Sequence, residues 1–213
     1  VKYNVSPETL NCPCCRTDPV MVPGLPYHIC QKRRGIVSLA LRVPLSKRMR
    51  YKNLSKGKTG KDEDRFRNME SALKWILVVC FGYLGFRNAR FGRIEAHQTV
   101  CAYARKFLLQ AMQISENYNL HPIHGIVDSL YVQPPSSMPT HTFHQRCKQV
   151  AQAIQAKTQI PISYDPDDDY FEYICFIPTK ANPEVAALNR YWGMKPNEKI
   201  KVRGVELRRH DAP

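Results

Sequence analysis

The sequence predicts an α+β fold, in which two antiparallel helices on a polar linker are inserted ahead of a unit with packed helices and an antiparallel sheet. Apolar residues recur at helical spacing in three long segments. Short apolar runs bounded by turn residues follow these segments, which is the pattern of strands. The helical segments span residues 32–54, 65–86 and 95–117, and the strand-like runs lie at 124–132, 170–178 and 199–209.

The beginning of the chain divides into an irregular segment, a helical segment and a connection. Residues 1–30 are rich in proline and are expected to form an irregular loop or a small insertion. The segment 32–54 is basic and helical, and Pro44 is expected to start a second helical segment, because proline is tolerated in a first turn. The stretch SKGKTGKDED at residues 55–64 is polar and contains glycine, so it is expected to be a connection exposed to water.

Further helices are expected in the rest of the chain. The segment 65–86 is helical but interrupted by Gly82 and Gly85. A long helix over residues 95–117 has an apolar stripe that faces the core, and a shorter helix lies near residues 141–157. The remaining tail is rich in strands that are expected to pair with one another.

The charge of the chain indicates a polyanionic partner. Its 213 residues contain 32 Lys and Arg against 18 Asp and Glu, which gives a formal net charge of +14 and a pI near 9.5. Nucleic acid is the commonest partner of so basic a chain. No apolar run approaches the roughly 20 residues of a membrane-spanning helix, so we expect no membrane partner and a cytoplasmic, nucleoid-associated location. The first residue is Val1 rather than Met, which indicates a fragment or a processed piece.

Four of the eight cysteines cluster near the N-terminus and could bind a metal ion. Cys12, Cys14, Cys15 and Cys30, with His28 nearby, offer the thiolate and imidazole ligands of a tetrahedral zinc site. Their spacing departs from the paired CxxC motifs of a zinc ribbon, so a small cysteine-rich loop without metal is the alternative. The other four cysteines are isolated in apolar or helical surroundings, as expected of free buried thiols in a reducing compartment.

The two predicted helices of the basic segment place cations where they could meet. Arg48 and Lys52 are four residues apart and share a helix face. If the helices are antiparallel, Lys74 converges with them, and three cations suit a nucleoside triphosphate. Phe81 and Gly82 follow near the face of Lys74, and a flat side chain beside a bare backbone allows a base pair to approach. The alternative is a basic face that only contacts solvent.

A single carboxylate interrupts the apolar stretch HGIVDSLYV at residues 124–132. Asp128 lies between two short apolar runs, and turn residues flank the whole stretch, so we expect a strand hairpin around it. An ionised carboxylate in an apolar hairpin is costly unless a cation meets it. Asp128 is therefore either a surface turn residue or a ligand of a cation.

These residues resemble the motifs of the family-B DNA polymerases. The fingers motif of that family, KxxxNSxYG, is similar to KWILVVCFG at residues 74–82, with two valines in place of Asn and Ser. KRMRYK at residues 47–52 resembles the second triphosphate-binding helix. The palm motif YxDTDS resembles GIVDS at residues 125–129, with Ile126 in place of the first aspartate. The chain looks most similar to a divergent prokaryotic branch with an altered palm motif.

Further motifs extend the resemblance over nearly the whole chain. KYNVSPETL at residues 2–10 resembles the segment after the first palm motif. NRYWG at 189–193 and KVRGVELRRHD at 201–211 resemble the segment through which the palm contacts primer and template. The resemblance implies contacts with backbone phosphates, which bind DNA without reading its sequence. The implied DNA-binding residues are Arg190, Tyr191, Lys201, Arg203, Arg208 and Arg209.

The resemblance also implies a domain organisation. Residues 1–30 would be a palm-to-fingers segment rich in Cys and Pro, residues 31–92 the helical-hairpin fingers, and residues 93–213 the C-terminal palm with its antiparallel sheet. The first palm motif, the exonuclease domain and the thumb would lie outside these 213 residues. The chain alone is then expected to be inactive as an enzyme.

The activity implied by the resemblance is template-directed DNA synthesis, in which a nucleotide is transferred from a dNTP to a primer 3′-OH. Asp128 would hold two Mg²⁺ ions together with an aspartate of the first palm motif. The implied nucleotide-binding residues are Arg48, Lys52, Lys74, Phe81 and Gly82. The implied partners are primer–template DNA, dNTP and the remaining polymerase domains or subunit.

Two other interpretations remain open. The replacements at Ile126 and in the fingers motif are compatible with a catalytically degenerate subunit that binds DNA or acts as a scaffold in a replication or repair complex. A nucleic-acid-binding module stabilised by zinc, centred on residues 12–30, is the third interpretation.

Overall fold

The computed structural model of the chain describes residues 1–56, 58–127 and 129–204. Within these ranges helices are mixed with small antiparallel sheets, which confirms the predicted α+β class. The chain divides into two compact units, Val1–Lys106 and Phe107–Pro213. The α-helices are α1 (Ile36–Ser55), α2 (Lys61–Gly85), α3 (Ile94–Asn117), α4 (Thr140–Thr158) and α5 (Pro166–Asp169). The β-strands are β1 (Val20–Met21), β2 (His28–Ile29), β3 (His121–Ile126), β4 (Ser129–Gln133), β5 (Tyr173–Pro178), β6 (Ala186–Met194) and β7 (Ile200–Arg203).

The segment before α1 contains more regular structure than the irregular loop predicted for residues 1–30. Two short 3₁₀ helices, Pro7–Thr9 and Pro13–Cys15, precede an antiparallel pairing of β1 with β2. The side chains of Glu8 and Ser6 accept hydrogen bonds from backbone N–H groups in the first turn of α1. Such N–H groups have no partner within the helix, so the N-terminal segment caps the start of α1.

The first long helix is continuous, so the prediction that Pro44 starts a second helical segment is wrong. Pro44 lies inside α1, where it has no N–H group to donate to the carbonyl of Ala40. Packing of α1 against α2 stabilises the helical conformation despite this loss, since helices in proteins depend more on tertiary packing than on local propensity.

The second long helix begins earlier than predicted. α2 starts at Lys61, so the connection between the helices is residues 56–60 and not 55–64. Three acidic residues follow Lys61 in the first turn, and the partial positive charge of a helix N-terminus stabilises negative side chains there. The helix continues through Gly82 to Gly85, so the predicted interruption at Gly82 is wrong.

The two helices pack against each other in antiparallel orientation. Arg48 of α1 contacts Glu70 of α2, and Tyr51 stacks near Phe66 with ring centroids 6.2 Å apart. Residues later in α1 thus meet residues earlier in α2, as expected of helices joined by a short connection. None of the helices in the described ranges is long and apolar enough to cross a membrane.

The second unit holds a hairpin and a separate three-stranded sheet. β3 pairs with β4 in the predicted hairpin, and β5, β6 and β7 pair antiparallel in that order. The helix predicted near residues 141–157 is α4, and its predicted bounds differ from the observed ones by one residue at each end. The apolar core of the unit is formed by Ala111, Leu120, Phe143, Cys147, Val150 and Ile154.

The strand β6 was not predicted from the sequence. Asn189 within it has a φ of 58°, and the register between β5 and β6 shifts between Phe176 and Pro178. A residue with positive φ bends a strand and breaks its alternation of inward and outward side chains. The stretch NRYWG therefore has no period of two that would indicate a strand.

Candidate functional site

The β3–β4 hairpin carries the predicted catalytic carboxylate. Its strands pair up to Ile126 and Ser129, which leaves Val127 and Asp128 between them. Asp128 itself lies outside the described residues. Val127 is 71% exposed and has a φ of 49°. Two-residue hairpin turns favour positive φ, but a β-branched side chain is strained there, so the backbone is strained next to the predicted metal ligand.

This strain leads to a stability prediction. Val127→Asn is expected to raise the free energy of unfolding of the chain by about 1 kcal/mol, because Asn tolerates the left-handed conformation and the exposed valine contributes little burial. Urea unfolding at constant pH measures the change. The control is Val185→Asn, since Val185 is 52% exposed and is not among the residues with positive φ. An equal gain in both variants would show that turn strain is not the cause.

Tyr131 joins the hairpin to the three-stranded sheet. Its hydroxyl donates a hydrogen bond to the hydroxyl of Tyr191 on β6 at 2.8 Å, and the two rings meet edge to face with centroids 5.5 Å apart. Phe171 and Phe176 pack beside both rings. Burial and the Tyr191 hydroxyl raise the pKa of Tyr131, so its proton stays available for this bond at neutral pH. The base of the hairpin is therefore held by a partly buried aromatic cluster.

Another side chain of this cluster is titratable and buried. His124 on β3 packs against Phe176 with ring centroids 4.5 Å apart. Burial lowers the pKa of His124, because the charged imidazolium is less stable away from water. The imidazole is therefore neutral at pH 7, and the support of the hairpin consists of uncharged rings.

Tyr191 lies among these rings and is only 2% exposed. A phosphate contact was predicted for this side chain, and its hydroxyl pairs with that of Tyr131 inside the second unit. Tyr191 can therefore orient the β3–β4 hairpin relative to its own strand, β6. Its side chain has almost no accessible surface.

Two of the predicted DNA-binding cations share one face of the sheet. Arg203 on β7 lies opposite Tyr191, and Lys201 lies opposite Gly193. Residues two apart on a strand point to the same side. Arg203 is exposed, and the Lys201 ammonium lies 5.6 Å from the centroid of the Phe171 ring.

The remaining predicted cations are placed differently. Arg190 precedes Tyr191 on β6, so its side chain starts from the opposite face of the sheet. Its Nε donates to the carbonyl oxygen of Gly204 at 3.1 Å. Arg208 and Arg209 lie outside the described residues.

The helical pair brings the predicted triphosphate-binding residues to neighbouring turns. Arg48 Nε lies 2.7 Å from Glu70 Oε1, and both side chains are half-buried. Lys74 follows Glu70 by one turn of α2, which is about 6 Å along the helix axis. Lys52 follows Arg48 by one turn of α1, in the direction of the connection, and both lysines are exposed. Lys52 and Lys74 therefore lie on opposite sides of the Arg48–Glu70 pair, roughly 12 Å apart along the helix axes, and their long side chains can both extend towards a polyanionic ligand at Arg48.

Phe81 and Gly82 lie two turns further along α2. The Phe81 ring stacks on His97 of α3 with centroids 4.2 Å apart, and His97 Nδ1 lies 3.2 Å from the Phe81 carbonyl oxygen. A Cβ atom added at Gly82 would meet no heavy atom of the described residues within 4 Å. Packing inside the chain thus gives no reason for a glycine at this exposed position.

The structure brings the four predicted thiols together. The Sγ atoms of Cys12, Cys14, Cys15 and Cys30 all lie within 4.8 Å of one another. His28 Nε2 lies 3.8 Å from Cys12 Sγ and 3.0 Å from the Cys12 carbonyl oxygen, which places the imidazole at the edge of the cluster.

Three residues of these sites were not predicted from the sequence. Glu70 precedes Lys74 by four residues, and this helical spacing is a signal that could have identified it. Tyr131 follows Ser129 by two residues on one strand face, which is a weaker signal. The contact of His97 with Phe81 joins residues from different helices, and no local pattern indicates it.

Comparisons with known proteins identify the family of the chain. The model of DNA polymerase family B matches residues 2–213. DNA polymerase 2 of Saccharolobus solfataricus is 40% identical over 134 residues, which is 62% of this chain and 18% of that protein. DNA polymerase 1 of Aeropyrum pernix is 25% identical over 215 residues, covering 100% of this chain and 20% of that protein.

A solved structure has the same fold. The family B DNA polymerase from the hyperthermophilic archaeon Pyrobaculum calidifontis superposes with a TM-score of 0.72 at 22% identity, covering 96% of this chain and 25% of that one. This chain therefore spans about a fifth to a quarter of the length of the relatives it matches. Because the family model matches almost every residue, the chain belongs to DNA polymerase family B.

Proposed function

We propose that the chain is the fingers and C-terminal palm portion of a template-directed DNA polymerase. In this proposal residues 1–30 connect palm to fingers, residues 31–92 form the helical-hairpin fingers, and residues 93–213 form the palm. The observation that carries the proposal is the β3–β4 hairpin of a family B chain, with a carboxylate between its strands and a partly buried aromatic cluster at its base. Such rigid support is what a catalytic group needs to be held in place.

Asp128 would contribute one carboxylate to a site for two Mg²⁺ ions, with the other carboxylate supplied by the first palm motif. The chemistry of the donor fits, because Mg²⁺ prefers hard oxygen ligands, and the neighbouring Val127 is exposed. Bound Mg²⁺ ions would activate the primer 3′-OH and neutralise charge on the departing pyrophosphate. Ile126 offers no ligand, so Asp128 is the acid of this hairpin that can hold the ions.

The helical pair would bind the triphosphate of the incoming dNTP. Glu70 contacts Arg48 through Nε, and this contact orients the guanidinium. A planar guanidinium fork suits phosphate oxygens, and the nearby Lys74 and Lys52 act as point charges. These cations stabilise charge that grows on the β and γ phosphates as the bond to the α phosphate breaks.

Phe81 and Gly82 would contact the nascent base pair. The stacking of Phe81 on His97 fixes the direction of its ring, and the open space at Gly82 allows a base to approach the backbone of α2. The absence of a packing contact at Gly82 among the described residues supports a role in ligand binding over a role in folding.

The sheet face with Lys201 and Arg203 would bind backbone phosphates of the primer–template duplex, and Arg190 would do so from the other face. Tyr191 has a positioning role through Tyr131. These contacts neutralise phosphates without reading bases. Arg208 is proposed as a further phosphate contact on the strength of the sequence alone.

A catalytically degenerate DNA-binding or scaffold subunit is the second candidate. The observation that favours it is the loss of polar groups at Ile126, Val78 and Val79, where the family has an aspartate, an asparagine and a serine. Such a subunit would keep affinity for duplex DNA and would not transfer nucleotides.

The two candidates differ in primer extension. We expect the 213-residue chain alone to bind duplex DNA without extending a primer, whereas the complete polymerase that contains it extends the primer with dNTP and Mg²⁺. Binding by the chain should weaken steeply with salt, and Lys201→Ala should reduce the slope of log K against log salt by about 1. Lys157→Ala on α4 is the control and should leave the slope unchanged. Extension by the chain alone would contradict the assignment of Asp128, and no extension by the complete polymerase would favour the scaffold.

A further inference from the structure

We propose that Cys12, Cys14, Cys15 and Cys30 together bind one Zn²⁺ ion in a closed tetrahedral site with a structural role. This inference goes beyond DNA synthesis and does not depend on it. It rests on the distances between the four sulfur atoms, on the backbone groups that contact them and on the connections of the cluster to α1.

The sulfur–sulfur distances fit a single ion. Cys14 Sγ lies 3.5 Å from Cys12 Sγ and 3.5 Å from Cys30 Sγ, and Cys15 Sγ lies 3.9 Å from both Cys14 Sγ and Cys30 Sγ. Four thiolates bound at about 2.3 Å in a tetrahedron lie about 3.8 Å from one another. Four of the six edges of that tetrahedron are thus matched to within about 0.3 Å, and the other two sulfur–sulfur distances are at most 4.8 Å.

The same distances disfavour the two other states of a four-cysteine cluster. A disulfide brings two sulfur atoms to about 2.05 Å, and all eight cysteines of the chain are free thiols. An iron–sulfur cubane holds each of its four cysteines on a different iron atom, so its thiolates are farther apart than thiolates that share one ion. A mononuclear site is the state that needs the least rearrangement.

Two of the four sulfur atoms accept hydrogen bonds from backbone N–H groups. The backbone N–H of Gln31 donates to Cys15 Sγ at 3.5 Å, and the backbone N–H of Arg33 donates to Cys30 Sγ at 3.3 Å. Hydrogen bonds of this kind stabilise a charged sulfur and orient it, as outer groups around metal ligands do. Buried thiolates require a cation, and three of the four cysteines are less than 5% exposed.

The four cysteines also differ from an ordinary buried cysteine. They form a cluster with one another, whereas Cys147 is packed among apolar side chains of the second unit. A single thiol such as Cys147 serves as a small apolar group. Four thiols in mutual contact bury little apolar surface, so their association is better explained by a shared ligand.

The position of the site indicates what the ion stabilises. The turn at residues 12–15 would be tied to the end of β2 at Cys30. The side-chain amide of Asn4 donates to the carbonyls of Cys30 and Arg33, and its oxygen accepts from the N–H of Gly35, just before α1. The ion would therefore fix the segment from which α1 starts, the helix that carries Arg48.

The test uses the chain purified under reducing conditions from medium that contains zinc, with metal measured by mass spectrometry. We expect one Zn²⁺ per chain, and close to none in Cys14→Ser or Cys30→Ser. Cys101→Ser and Cys175→Ser are matched controls from outside the cluster and should retain one ion. Exchange of Co²⁺ into the wild-type chain should produce the visible absorption of tetrahedral Co²⁺ and the ultraviolet charge transfer of four thiolates.

The cobalt measurement keeps the test valid if the serine variants fail to fold, because it uses the wild-type chain. Metal-free protein that takes up neither Co²⁺ nor Zn²⁺ while its four thiols remain reduced would overturn the proposal. Iron with acid-labile sulfide in the purified chain would also overturn it, in favour of a cluster. A Co²⁺ spectrum without the bands of tetrahedral thiolate coordination would show that the ion binds outside the four cysteines, and it would also overturn the proposal.

Discussion

Replacement of Asp128 by Asn in the complete polymerase is expected to reduce nucleotide incorporation by roughly 10³-fold or more while changing duplex binding little. Asn keeps the size of the side chain but removes the negative charge that holds Mg²⁺, and metal stabilisation of the transition state contributes several kcal/mol. Single-turnover incorporation of dNTP at saturating Mg²⁺ measures the effect on chemistry, and duplex affinity is measured in parallel.

Two variants serve as controls for this prediction. Asp167→Asn changes an exposed acid in the same unit and should leave incorporation unchanged, which also tests whether Asp167 completes the site instead. Ile126→Asp restores the acid of the family motif and should change the rate only modestly. Incorporation near the wild-type rate in Asp128→Asn would falsify the catalytic role of the hairpin and leave Asp128 as a turn residue, with a stability effect of at most about 1 kcal/mol.

Local patterns predicted the main elements of the fold, and they failed where tertiary contacts outweigh local preference. The apolar stripe of α3 and the hairpin at β3 and β4 follow directly from periodicity. Pro44 looks like a helix start in isolation, but the contact of α1 with α2 keeps the helix continuous. Asn189 takes a positive φ inside β6, and this irregularity hides the strand from a search for alternation.

The candidate sites show the same division between local and long-range information. The sequence indicated four clustered cysteines, and the structure brings all four together. The sequence did not indicate that Tyr191 pairs with Tyr131, since the two residues are 60 positions apart. Residue type and motif predicted a DNA contact at Tyr191, but its burial depends on which strands become neighbours, and that information is not local.

Lys74→Ala in the complete polymerase is expected to lower kcat/KM for dNTP incorporation by about 10²-fold, as removal of one preorganised charge-stabilising group does. Lys74 is exposed on α2, one turn from the Arg48–Glu70 ion pair, so its removal should leave the thermal unfolding of the chain unchanged. The KM for dNTP should rise because ground-state charge on the triphosphate is also less well balanced, and kcat should fall because the charge grows in the transition state.

Lys61→Ala is the matched control, since Lys61 is an exposed lysine at the first residue of the same helix, whereas Lys74 lies near its middle. A cation in the first turn opposes the helix dipole, so its loss costs no stability, and incorporation should be unaffected. If both variants lose activity equally, the basic surface attracts the substrate only by its overall charge, and high salt should then remove the difference from wild type. If only Lys74→Ala is impaired and the defect persists at high salt, Lys74 contacts the triphosphate directly, because a close ion pair shielded by the bound substrate is screened much less than a distant charge.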